Sequence, residues 1–264
     1  MNKLIIIFFV CFQIAYSDNF LLFKPISSYV FEPRIGSAYN LNDKNLRLDI
    51  GASFDLIKFK DEYENSFAIG ADFFTYTRLR SENNFTFPVE TSDYFFGLNF
   101  STDINLFNTK IQSRLRVAHI SSHLIDGFSK DGVFFKMPFV YSREFVELFI
   151  TKYVELSDRL VLRPHIGFTG VFSTAPDDIA PLIGRVGFDL NYNLNQHIEF
   201  LVGTSVSNGE IDANISTQIG VNLRFIQNTG LFIGYYNYYG SSIHGMFYKN
   251  RDNYSAIGFQ IIYN

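Results

Sequence analysis

The chain is 264 residues long, with 26 acidic and 22 basic residues for a net charge of −4, 47% hydrophobic residues and a mean hydropathy of +0.05. Charges of both signs are scattered along it, which excludes the basic patch that a nucleic-acid partner needs. A single cysteine, Cys11, excludes a disulfide framework or cysteine metal site, and no stretch reaches the roughly 18 apolar residues of a helical membrane span.

Residues 1–17 read as a secretory signal. Lys3 gives the positive start, Leu4 to Ile14 the apolar run, and Ala15-Tyr16-Ser17 the small-x-small pattern before Asp18. Cys11 lies inside this segment behind Phe9 and Val10, not behind the small residues of a lipoprotein site, so the mature chain has no thiol. Residues 18–264 carry no linker or composition shift and are expected to form one β domain.

Alternation then dominates. A weak first strand is expected within 30–40. In the next run Leu46, Leu48, Ile50, Ala52, Phe54 and Leu56 alternate with Arg47, Asp49, Gly51, Ser53 and Asp55. Further runs cover 66–79, 93–107, 110–122, 139–154, 159–172, 182–193, 197–207, 213–226, 230–239 and 254–263. Period two means strands with one apolar and one polar face. These runs hold ten residues or more, as a tilted membrane crossing requires, where soluble strands usually hold about five or six. Gly, Asn, Arg and Asp on the polar face suit a wet lumen; Phe, Leu and Ile on the other suit lipid. Tight connections alternate with long ones (122–138, 173–181, 240–253), the expected asymmetry between periplasmic turns and external loops. The expected fold is all-β: a transmembrane antiparallel up-and-down β-barrel of about 12 strands in the bacterial cell outer membrane, with both ends in the periplasm. Gly258 to Tyr263 resembles the terminal-strand signal read by the barrel-assembly machinery.

The fourth run breaks the alternation. Lys110, Gln112, Arg114 and Arg116 form its polar face, which leaves His119 and Ser121 pointing toward lipid. Folding the following hairpin about Asp131-Gly132, a two-residue turn signal, sets the register. It places His119 opposite Glu144, Ser121 opposite Ser142, and Arg116 opposite Glu147 on the lumen side, an opposite-charge cross-strand pair. Ser121, His119 and Glu144 thus share the outer face near the extracellular rim. That set suits a serine hydrolase: His119 takes the Ser121 proton while Glu144 fixes the imidazole tautomer. The plain alternative is three polar residues marking where the strand leaves the bilayer.

At these residues the chain resembles outer-membrane phospholipase A, through His119-Ile120-Ser121 followed by Tyr141-Ser142-Arg143. That family implies a twelve-stranded barrel with a lipid-facing Ser/His pair and an Asn third member, whose place Glu144 takes here; Ser122 stands where the family has Asn. A Ser/His/Glu set also resembles the lipid A deacylase barrels. Over most of the mature chain the resemblance is to a bacterial outer-membrane protein family of unknown function, through Phe31-Glu32-Pro33-Arg34, His119 to Leu124 with Asp126 beyond, Tyr141 to Glu144, and Gly234 to Gly240.

Three hypotheses follow: a lipid acyl-ester hydrolase of phospholipase or lipid A deacylase type using Ser121; a non-enzymatic barrel, as a narrow channel or a scaffold for surface loops, with a lumen that ion pairs could plug; and a periplasmic lipocalin-like binder. The phosphate-binding glycine loop, dinucleotide fingerprint and metal-ligand spacing are missing. His165 and His197 fall on lumen-facing positions. No cofactor or metal is expected, with calcium left open. The expected partners are membrane lipids and, during insertion, the assembly machinery, with a homodimer left open and no nucleic acid.

Overall fold

A computed structural model describes residues 21–106, 109–208, 213–226 and 229–263; the signal segment expected at 1–17 lies outside them. Among the described residues twelve strands build the barrel wall in chain order: β1 (Ile35–Asn40), β2 (Asn45–Lys60), β3 (Ser66–Arg80), β4 (Val89–Leu106), β5 (Thr109–Leu124), β6 (Tyr141–Thr151), β7 (Leu160–Ala175), β8 (Leu182–Asn193), β9 (Ile198–Asn208), β10 (Ala213–Ile226), β11 (Thr229–Ser241) and β12 (Arg251–Tyr263). Each pairs antiparallel with its neighbour in the chain, and β1 pairs with β12, so the sheet closes and leaves no open edge. Val154–Ser157 prolongs β6 and pairs with the start of β7. The expected runs coincide with these strands, except that the first shortens to Ile35–Asn40 because the residues before it turn inward.

Alternation decides which side chain faces which solvent. Phe54, Phe100 and Leu223 are 45%, 38% and 39% exposed on the outer wall, whereas Asp72, Arg114, Arg116, Glu147 and Asp189 are buried inside. Hydrocarbon outside satisfies that arrangement and water does not. It is the reverse of a soluble barrel, which removes the lipocalin-like hypothesis. Among several register shifts, the bulge between Asp55 and Ile57 of β2 breaks the period and turns both Leu56 and Ile57 outward.

Two segments occupy the lumen, which the sequence left open between a wet channel and one closed by ion pairs; a cavity of about 260 Å³ remains beside them, lined in part by Lys24, Arg163, Asp189 and Glu199. From the short-turn mouth, residues 21–34 run inside the barrel, burying Phe23, Ile26 and Tyr29. The wall grips this segment by its backbone: Leu22 N donates to Asp55 at 2.6 Å, and Arg163 donates to the carbonyls of Lys24 and Pro25 at 2.6 and 3.0 Å. Its side chains join the wall's ion pairs. Glu32 receives both Arg114 terminal nitrogens at 2.6 and 3.0 Å, and the Tyr29 hydroxyl donates to Glu147, which also pairs with Arg116.

From the other mouth the β11–β12 loop, residues 242–250, folds down onto an apolar cluster. Phe74, Tyr76, Phe95, Ile120 and Phe145 stand on the inward phase of the upper strands, and Ile243, Met246 and Phe247 pack onto them. Alternation gives the inward direction of these aromatics but not what fills the space beneath them.

Candidate functional site

β5 and β6 carry the three expected residues, and the turn between them fixes their register. Asp131 and Gly132 have φ of 52° and 78°, the left-handed pair that a tight two-residue hairpin needs. Lys130 pairs with Val133 and Ser129 with Phe134. Residues 123–128 and 135–140 then leave the ladder as flanks of equal length, so pairing resumes at Ser122–Tyr141 without a slip. His119 stands opposite Glu144, Ser121 opposite Ser142, Leu115 opposite Leu148, and Arg116 opposite Glu147, as the turn alone predicts.

On the outer face His119 Nδ1 lies 2.7 Å from Glu144 Oε1, with the two side chains 40% and 28% exposed. A proton on Nδ1 is held by the carboxylate, which leaves Nε2 as the basic nitrogen. Ser121 lies two residues on, on the same outward face and half-buried. Among the described residues no hydrogen bond joins its Oγ to His119. The structure therefore brings His119 and Glu144 into contact, and Ser121 onto their face without a hydrogen bond to either among the described residues. Tyr94 and Phe96 of β4 flank Ser121 and His119, and Ser173 of β7 lies across from Glu144. Toward the membrane centre the same wall is apolar, with Leu98, Val117 and Val146 exposed.

Ser122 and His123 divide between the two faces. His123 is exposed outside, its ring 5.8 Å from that of Tyr94. Ser122 faces inward, where its hydroxyl accepts a 3.0 Å bond from Met246 N and so pins the β11–β12 loop. A second pin, not visible in the sequence, is Asp93: it receives His244 Nδ1 at 2.7 Å and Gly245 N at 2.8 Å. More than 150 residues separate these partners, so no local signal points to them. His165 is buried in the lumen beside Phe149, as its phase suggests. His197 is not lumen-lining; it sits exposed in the β8–β9 turn beside Gln196. Among the described residues no group of three His, Cys, Asp or Glu is arranged to hold a metal ion.

Solved structures place this architecture. The transport unit of the autotransporter AIDA-I from Escherichia coli is similar with a TM-score of 0.51 and 12% identity, over 96% of each chain. Outer membrane phospholipase A from Escherichia coli is similar with a TM-score of 0.53 and 12% identity, over 90% of this chain and 94% of that one. The chain has the fold of an outer-membrane β-barrel. An active-site mutant of the same phospholipase gives a TM-score of 0.53 at 13% identity, over 96% of this chain and 95% of that one. No family model matches the sequence, and no curated protein matches it. At these identities the likeness extends to the fold alone, so a reading of chemistry must come from the residues of this chain.

Proposed function

We propose that this barrel is a lipid acyl-ester hydrolase working on its lipid-facing wall, with Ser121 as nucleophile, His119 as base and Glu144 as the group that orients and charges the imidazole. The observation that carries it is the 2.7 Å contact between His119 Nδ1 and Glu144 Oε1 at a surface turned toward lipid. A carboxylate and an imidazole facing hydrocarbon are costly and are found where they have work to do. Ser121 shares their face, and the lack of a hydrogen bond from it to His119 is no objection, because catalytic hydrogen bonds often tighten only when substrate binds.

In the step this arrangement supports, Ser121 Oγ attacks the ester carbonyl carbon as its proton passes to His119 Nε2. The tetrahedral oxyanion collapses, the alcohol leaves with that proton, and the acyl group stays on Ser121. Water, deprotonated by the same nitrogen, then releases the fatty acid and restores Ser121. Glu144 stabilises the imidazolium present in both halves. Outer-leaflet lipids present their ester groups to such a wall without leaving the membrane. Outer membrane phospholipase A shares the fold, and its name gives the substrate class that would be tried first.

Purified barrel in detergent mixed with phospholipid, or with lipid A, is expected to release fatty acid. Ser121→Ala is expected to lower the rate by about 10⁴-fold or more while the barrel stays folded. Equal rates in the two proteins would leave a non-enzymatic barrel as the reading to keep.

A further inference from the structure

We infer that the external hairpin of residues 129–140 is a membrane-contacting flap, whose partner is the acyl layer of the leaflet around it. Val133, Phe135, Met137 and Val140 are 71%, 57%, 83% and 77% exposed, all within one short segment of the β5–β6 loop. Contiguous apolar side chains on an outer surface mark a contact with protein or membrane. The hairpin is also held in place. Phe128 packs edge-on against Phe135 and Phe247 at 5.4 and 5.2 Å, and Lys136 Nζ donates to the Met246 carbonyl at 3.0 Å. Its inner side is therefore taken up by the cap over the lumen, and its apolar outer side remains.

Continuity identifies the partner as lipid. Val140 stands on the outward phase of its chain with Ser142, Glu144 and Val146, the column that lower down faces hydrocarbon. The equal flanks of the hairpin bring Val140 level with His123. The outer wall thus reads apolar at Val117 and Val146, polar at His119, Ser121, Ser142 and Glu144, mixed where His123 stands level with Val140, then apolar along the hairpin at Val133, Phe135 and Met137. A polar patch at the upper limit of the membrane would have only hydrophilic surface above it. Here apolar surface closes on both sides, and an acyl layer reaching the hairpin satisfies both. The neighbouring β3–β4 loop agrees: Phe85 is 93% exposed there, and Arg80 Nη1 ties that loop to the Gly127 carbonyl at 3.0 Å.

The inference holds whether or not Ser121 is a nucleophile, and its test does not read activity. The chain has no tryptophan, so Met137→Trp installs one fluorophore at an exposed position. Folded protein is reconstituted into phosphatidylcholine vesicles with and without bromine on the acyl chains, and Val117→Trp serves as the reference within the lipid belt. Met137→Trp is expected to emit at blue-shifted wavelengths and to be quenched by brominated lipid as the reference is. Both effects should persist when protein is diluted into excess lipid. Water-like emission without quenching would overturn the inference. So would a blue shift that vanishes on dilution, since a second copy of the chain would then be the partner. Val140→Trp gives the same readout should Met137→Trp not fold.

Discussion

Glu144 accepts from His119 Nδ1 through one oxygen, and an amide oxygen in the same place can accept the same bond. Glu144→Gln is therefore expected to keep the tautomer and lose only the charge that stabilises the imidazolium. Glu144→Ala loses both. The rate of fatty-acid release should fall in the order wild type, Gln, Ala, and equal losses in the two variants would show that orientation by this residue does not matter. Inside the wall the dependence is on charge balance. Glu147 holds Arg116, with Tyr29 and Thr169 donating to its other oxygen. Leucine there strands a buried guanidinium, at a cost of about 3–5 kcal/mol. Glu32 and Asp72 lie 3.5 and 3.8 Å from Arg116 Nη1 and share the charge, which favours the lower end. Adding Arg116→Met should recover most of the loss. Urea titration of the reconstituted barrel measures both, and a double variant no more stable than Glu147→Leu alone would contradict this.

At the scale of elements, the β11–β12 loop is a cap held by few points. Asp93 accepts two bonds from it, each to a charged acceptor and worth about 1.5–3 kcal/mol. Gly245 permits the fit, because a Cβ there would sit 2.2 Å from Tyr141 Cδ1. Asp93→Ala and Gly245→Val are both expected to release the loop, seen as new protease cleavage within 242–250 on intact vesicles. The outer end of the cap is pH-dependent. Lys249, and after it the Tyr248 hydroxyl, hold the Asp178 carboxyl below its usual range through bonds of 2.5 Å each. Because the folded value is depressed, this tie is present above the unfolded carboxylate value of about 3.9 and is lost as pH falls through the lower folded one. Cleavage should therefore rise only in strong acid. Asp178→Asn should raise it at neutral pH.

For the whole molecule the obstructed lumen has a direct consequence. The inner segment blocks the short-turn half and the cap blocks the other, so planar bilayers holding the protein should show little stepwise current. Deleting residues 21–34 removes Glu32 and Tyr29, leaving Arg114 without its bidentate partner and opening the lower lumen to water. With the cap still closing the other half, stepwise conductance is expected only when this deletion is combined with Asp93→Ala, which releases the cap. Full-size steps in the intact protein would show that the segment does not plug it.

Much of this molecule is legible along the chain. The strands of β2 to β12 follow from alternation, because a strand between lipid and an enclosed interior must change solvent at every residue. The contact of His119 with Glu144 follows from one turn, since Asp131 and Gly132 impose a register that equal flanks then carry to the site. Of the lumen's contents, the wall's own charge pair of Arg116 with Glu147 was legible, and the segments that enter from the two mouths were not. Tyr29, Glu32, Asp93 and His244 find partners far away in the chain, and the inward-facing Phe74, Phe95 and Phe145 keep the same phase whether water or a loop lies beneath them. The sequence by itself determined the barrel, its inside and outside, and the facing of Ser121, His119 and Glu144, all of which are local periodicities. Only the tertiary structure decided that the interior is packed from both mouths, because closing a sheet brings together residues that no spacing relates.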